Sequence, residues 1–150
     1  MEFLAELHPR IIHFPIAFFI LYFLFETTGI LLKKEYLLKS AFIVLILGVF
    51  FSLLSVLTGN QAHEVVKQIQ IDAALYNDLI EQHELFATIT LWYFVAVLVF
   101  RTYLLVKKKF ESKIRYTFII LGLIGSLLIY LTGTYGGELV FKYGIGTKLF

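Results

Sequence analysis

Residues 11–32 read IIHFPIAFFILYFLFETTGILL, an apolar stretch whose only acidic group is Glu26 and whose polar start is His13. A hydrocarbon core about 30 Å thick is crossed by roughly 20 helical residues. This stretch is long enough, and three more of the same kind lie near 40–58, 84–106 and 116–134. A helix satisfies its own backbone polar groups inside lipid, so the chain reads as four spanning helices. Composition agrees. Of the 150 residues, 59% are hydrophobic and 16% charged, too little charge to coat a soluble domain. The expectation is an all-α integral membrane four-helix bundle, one transmembrane domain over residues 1–150.

The flank MEFLAELHPR is as acidic as it is basic, the run after it is too long for a leader, and no small-residue cleavage site follows. The first run therefore reads as a span. The chain has no cysteine, which excludes disulfides, thiolate metal sites, iron–sulfur clusters ligated by this chain and covalent haem attachment through C-x-x-C-H. The net charge of +2 is small and clustered, which argues against a nucleic-acid partner.

Charge placement gives the orientation. Lys33, Lys34 and Lys39 separate the first two runs, and Lys107, Lys108, Lys109, Lys113 and Arg115 separate the last two. Loops of this kind stay cytoplasmic. Both termini and the segment 59–83 are then outside. All four histidines, His8, His13, His63 and His83, fall on that outer side.

The halves resemble each other. GVFFSLLSVLTGNQAHEVV (48–66) aligns without a gap on GLIGSLLIYLTGTYGGELV (122–140). Gly48 meets Gly122, and Leu57-Thr58-Gly59 meets Leu131-Thr132-Gly133. HFPIA (13–17) and HELFA (83–87) correspond in the preceding helices. This predicts two tandem helix hairpins, a parallel repeat with units about 8–66 and 83–140. His13 and His83 become mates facing each other across the bundle axis, whereas His8 and His63 lack a histidine mate.

Two inward histidines on facing helices can occupy both axial positions of a haem iron. Ala17 and Ala87 leave room beside His13 and His83, Arg10 suits a propionate or a lipid headgroup, and Gly48, Gly122 and Tyr135 can line a macrocycle. The same side chains can instead bind copper or zinc or hydrogen-bond a quinone, or sit at the interface with no ligand at all. The small residues equally suit plain helix packing. Glu26 and Arg101 lie at a common depth near the inner side, where an ion pair between them is the economical reading and a proton path the alternative.

Apolar residues recur at roughly helical spacing over 60–82, which predicts an amphipathic helix lying on the outer surface as a linker. The glycines of TYGGELVFKYGIGTKLF (134–150) predict a C-terminal segment folding back over the outer face.

LHPRIIHFPIA (7–17), HELFAT (83–88) and LTGTYGGELVFKYGIGT (131–147) together resemble a family of bacterial four-helix membrane proteins catalogued as domain of unknown function 2231. The resemblance covers nearly the whole chain with the motifs in order. It departs at Tyr143, where the family often has a histidine. Some members are joined to Rieske-type iron–sulfur domains, which implies redox company.

The reading that follows is a b-type haem subunit for electron transfer in a respiratory assembly, rather than a stand-alone enzyme. Haem b is the leading cofactor, with quinone or copper as alternatives. The expected surroundings are the bacterial inner membrane, other membrane subunits, and an iron–sulfur or cytochrome c protein on the outer side. The alternative function is a cofactor-free anchor or scaffold subunit.

Overall fold

A computed structural model of the chain describes residues 2–69 and 77–145. Among these residues the fold is all-α, with α1 (Glu2–Ile11), α2 (His13–Leu31), α3 (Glu35–Ile69), α4 (Asn77–Val106) and α5 (Ser112–Tyr143). Four stretches are long and apolar enough to cross a membrane: Phe3–Leu31, Glu35–Gln68, Asn77–Val106 and Lys113–Tyr143.

The first span combines α1 and α2. Proline has no N–H to donate and its ring crowds the carbonyl four residues back. Pro15 therefore leaves the Ile11 carbonyl without its helical partner, and the ladder lapses at Ile12. The backbone stays helical there, with φ −57° and ψ −25°, and Ile12 N–H still reaches the His8 carbonyl at 3.1 Å. The result is an interruption rather than a turn.

Both hairpin loops at the lysine-rich end close in the same way. Lys33 N–H bonds Ile30 O at 3.3 Å and Lys34 N–H bonds Gly29 O at 2.9 Å. At the end of α4, Lys108 N–H bonds Leu105 O at 3.0 Å and Lys109 N–H bonds Leu104 O at 2.8 Å. Lys33 and Lys108 both stand at φ 53°, the left-handed position that closes a Schellman motif. Orphan carbonyls at the helix ends are thereby satisfied where the chain leaves the apolar region.

α2 packs on α3 and α5, and α4 packs on α5 and α3, so α2 and α4 take opposite corners. Long side chains bridge that diagonal. Phe19 and Phe94 stack with centroids 3.6 Å apart and planes within 5°. They sit in a core with Tyr22, Leu38, Leu45, Val97 and Phe118. Leu24, Phe50, Trp92, Val99 and Leu123 point outward. An outward apolar face gains nothing by seeking another apolar face in lipid, so shape fit sets the bundle.

Three sequence expectations are corrected here. The surface linker over 60–82 is not a separate helix: residues 60–69 continue α3 and residues 77–82 begin α4, while 70–76 lie outside the described residues. At 35 residues, α3 is about 50 Å long, so its polar outer turns rise clear of a core about 30 Å thick without a break. The C-terminal segment does not fold back after residue 134. Gly136 and Gly137 are helical, and α5 ends only at Gly144, with φ 67°; residues 146–150 lie outside the described residues. Beyond the cap, Ile145 packs on a small cluster of Val66, Ile80 and Leu139. Gly48 and Gly122 also differ from expectation, each taking a phenyl ring against its helix.

Candidate functional site

A cavity of about 200 Å³ opens where α1, the outer part of α3, the start of α4 and the end of α5 converge. His8 and His83 both line it. Their ring centroids are 6.5 Å apart and their planes are nearly perpendicular, at 75°. The histidine opposite His83 is thus His8, not His13. His13 is exposed at the start of α2, because it stands five residues along the helix from His8, well over a turn, on another face. Ala17, one turn beyond His13, is exposed with it, as is Arg10.

Each imidazole is fixed from behind by the neighbouring helix. His8 Nδ1 lies 3.1 Å from Thr58 Oγ1 on α3. The Thr58 hydroxyl is placed to donate to the Leu54 and Ser55 carbonyls at 2.9 and 3.1 Å, and with its proton there its oxygen accepts the hydrogen bond from His8 Nδ1–H. His83 Nδ1 lies 3.1 Å from the Thr132 carbonyl on α5, which can only accept. The bonding therefore assigns the proton of both rings to Nδ1 and leaves both Nε2 atoms with a lone pair. Such a bond at the rear nitrogen orients an imidazole and raises its basicity as a ligand.

Two glycines let the rings come this close to the helices. A Cβ at Gly59 would sit 3.0 Å from His8 Cε1, and one at Gly136 would sit 2.9 Å from His83 Cε1. Of the two, Gly59 belongs to the Leu-Thr-Gly pattern that the sequence signalled only as a repeat, whereas Gly136 lies three residues beyond the matching Gly133. Thr58 and Thr132, the residues that hold the histidines, belong to the same pattern.

Around this pair, His63 Nδ1 and Glu84 Oε1 are 2.6 Å apart at the cavity's polar edge. Ala87 lines the wall. Tyr135 stacks on Phe86 with centroids 5.2 Å apart rather than on the cavity. Gly48 and Gly122 lie away from it and offer no slot: Gly48 receives the Phe19 ring and Gly122 the Phe23 ring. Aromatic side chains fill the space that sequence reasoning assigned to a macrocycle. Among the described residues no three His, Cys, Asp or Glu side chains gather as a metal cage.

The four-span architecture, the motif order and this histidine end can be set beside known families. The chain matches the family described as "Predicted membrane protein (DUF2231)" over residues 5–149. The chain belongs to this family. Nothing among curated proteins or solved structures matches it. It is accordingly a multi-pass membrane protein in contact with the lipid bilayer.

Proposed function

We propose that this family member holds one b-type haem between His8 and His83 and passes electrons as a subunit of a membrane redox assembly. The observation that carries the reading is the opposed pair of imidazoles, each held at Nδ1 by a neighbouring helix. A metal about 2 Å from each of two imidazole nitrogens sets the ring centroids roughly 6 Å apart, close to the 6.5 Å separation of His8 and His83. Two donors are also the number that the haem iron of an electron-transfer cytochrome takes from protein. Bound there, haem supplies a one-electron centre whose chemistry is its own.

The residues of this chain do the rest. Thr58 and the Thr132 carbonyl aim the two ligands. Apolar side chains of Phe19, Ile80, Ile129 and Leu139 line the cavity beside the two imidazoles. The cavity is part-open and smaller than the roughly 300–1,000 Å³ of ordinary ligand sites, so a haem would extend beyond it. The small volume also supports a second reading, a single copper ion between the same nitrogens.

The same proposal puts the lysine-rich loops in the cytoplasm and both termini outside the bacterial inner membrane, with the histidine end toward an iron–sulfur or cytochrome c partner. The hairpins are proposed to be tandem copies. The test is the absorption spectrum and metal content of protein purified after expression with haem supplied. A Soret band lost in both His8→Ala and His83→Ala supports haem. Copper without a Soret band supports the second reading. A folded, colourless and metal-free protein returns the chain to an anchor or scaffold role.

A further inference from the structure

At the end of the bundle opposite the histidines, Glu26 and Arg101 form an ion pair with both side chains buried. Arg101 Nη2 also donates to the Leu38 carbonyl at 3.1 Å. These bonds leave part of the cluster unmet. Among the described residues, Glu26 Oε2, Arg101 Nε and the Tyr22 hydroxyl are buried without a hydrogen-bond partner, as is Thr27 Oγ1 next to Glu26 in the chain. Tyr22 and Glu26 are 0% exposed and Arg101 is 1% exposed.

The first three of these belong to one place. Tyr22 precedes Glu26 by one turn on the same face of α2, and its hydroxyl is within electrostatic reach of both charges. Their chemistry is complementary to a single small molecule. Arg101 Nε–H can only donate, a Glu26 carboxylate oxygen accepts, and a tyrosine hydroxyl does either. A molecule with two donors and two acceptors completes all three, and water is that molecule. Buried waters occur where otherwise unmet polar atoms converge and make about three bonds each.

We propose that ordered water is bound between Tyr22, Glu26 and Arg101 as a structural part of this protein. The site is separate from the histidine cavity, because the Phe19–Phe94 stack fills the axis between them. It is also closed on its far side. The Phe110 ring lies under the Arg101 guanidinium at 3.9 Å, with Arg115 against the same ring at 5.0 Å. Phe110 is 7% exposed, so it acts as a plug that this water passes only when the ring lifts.

Hydroxyl-radical footprinting of the full chain in lipid nanodiscs tests this, and it does so whether or not haem is bound. Radicals form from water, so a buried ring is modified only beside bound water. With correction for ring reactivity, Tyr22 should be modified several-fold faster than Phe94, which is equally buried in the core and away from the histidine cavity. Modification of Tyr22 no faster than Phe94 overturns the proposal. On rapid transfer into oxygen-18 water, label should enter Tyr22 slowly in the wild type and several-fold faster in Phe110→Ala. Immediate labelling of the wild type would mean open solvent rather than a bound water, and would also overturn it.

Discussion

His8 and His83 face each other across the bundle axis with ring centroids 6.5 Å apart, and they are 75 positions apart in the chain. Two other pairs that meet on that axis have the same separation: Phe19 with Phe94, and Glu26 with Arg101. The loop lysines at φ 53°, Lys33 and Lys108, repeat it again. The axis is thus a ladder of paired positions, with histidines at one end, stacked rings in the middle and an ion pair at the other.

That register yields a discriminating prediction about the ligands. His8→Ala and His83→Ala should each abolish the Soret band of haem-supplied protein, whereas His13→Ala should leave it unchanged. An absorption spectrum of the three purified variants decides it. Loss of the band in His13→Ala with retention in His8→Ala would reverse the assignment and restore the pairing expected from sequence.

The contrast between His8 and His13 also shows how much of the fold and the site is legible in the sequence. Four spans, the lysine loops and the Glu26–Arg101 pair all follow from hydropathy and the cost of a lone charge in lipid. These are signals carried by many residues or by a strong penalty. The choice between two histidines five residues apart depends on helix phase, and a short motif match does not fix phase. HFPIA and HELFA align at a shift of 70, whereas the contacts run at 75. The roles of Gly59 and Gly136 were hidden for a related reason. A small residue permits close approach, but its sequence does not say whether a helix, a phenyl ring or an imidazole approaches.

The neighbouring glycines of α5 should respond in opposite ways to the same substitution. A Cβ at Gly136 would meet His83 Cε1 at 2.9 Å, while at Gly137 nothing among the described residues lies within 4 Å. His83 cannot retreat without losing its bond to the Thr132 carbonyl. Gly136→Ala should therefore cost about 1–3 kcal/mol by overpacking and perturb any spectrum of the site. Gly137→Ala should stabilise α5 by roughly 0.5–1 kcal/mol, since alanine loses less backbone entropy. Thermal melts in detergent measure both effects. Equal stabilisation by the two substitutions would show that the His83 ring is not seated on Gly136.

The buried ion pair predicts strong coupling between its members. Glu26→Leu strands the Arg101 guanidinium beside Phe110, and Arg101→Met strands the Glu26 carboxylate. Breaking a buried pair from one side costs about 3–5 kcal/mol, whereas replacing both partners is often nearly neutral. The double variant should then melt well above either single variant. If the two losses simply add, the pair is not a coupled unit and the charges are satisfied separately.

The orientation proposal can be tested because the chain has no cysteine of its own. Asp78 at the start of α4 and Lys107 beyond its end are both exposed, at opposite ends of one span. Cysteines placed there singly should separate cleanly with a membrane-impermeant thiol reagent on intact spheroplasts. Asp78→Cys should label without lysis, and Lys107→Cys only after it. The physical basis is the cluster Lys107, Lys108 and Lys109 beside Lys113 and Arg115, whose transfer across the membrane during insertion is disfavoured. The opposite pattern would place the histidine end toward the cytoplasm. An iron–sulfur or cytochrome c partner on the outer side would then be ruled out, even with haem bound between His8 and His83.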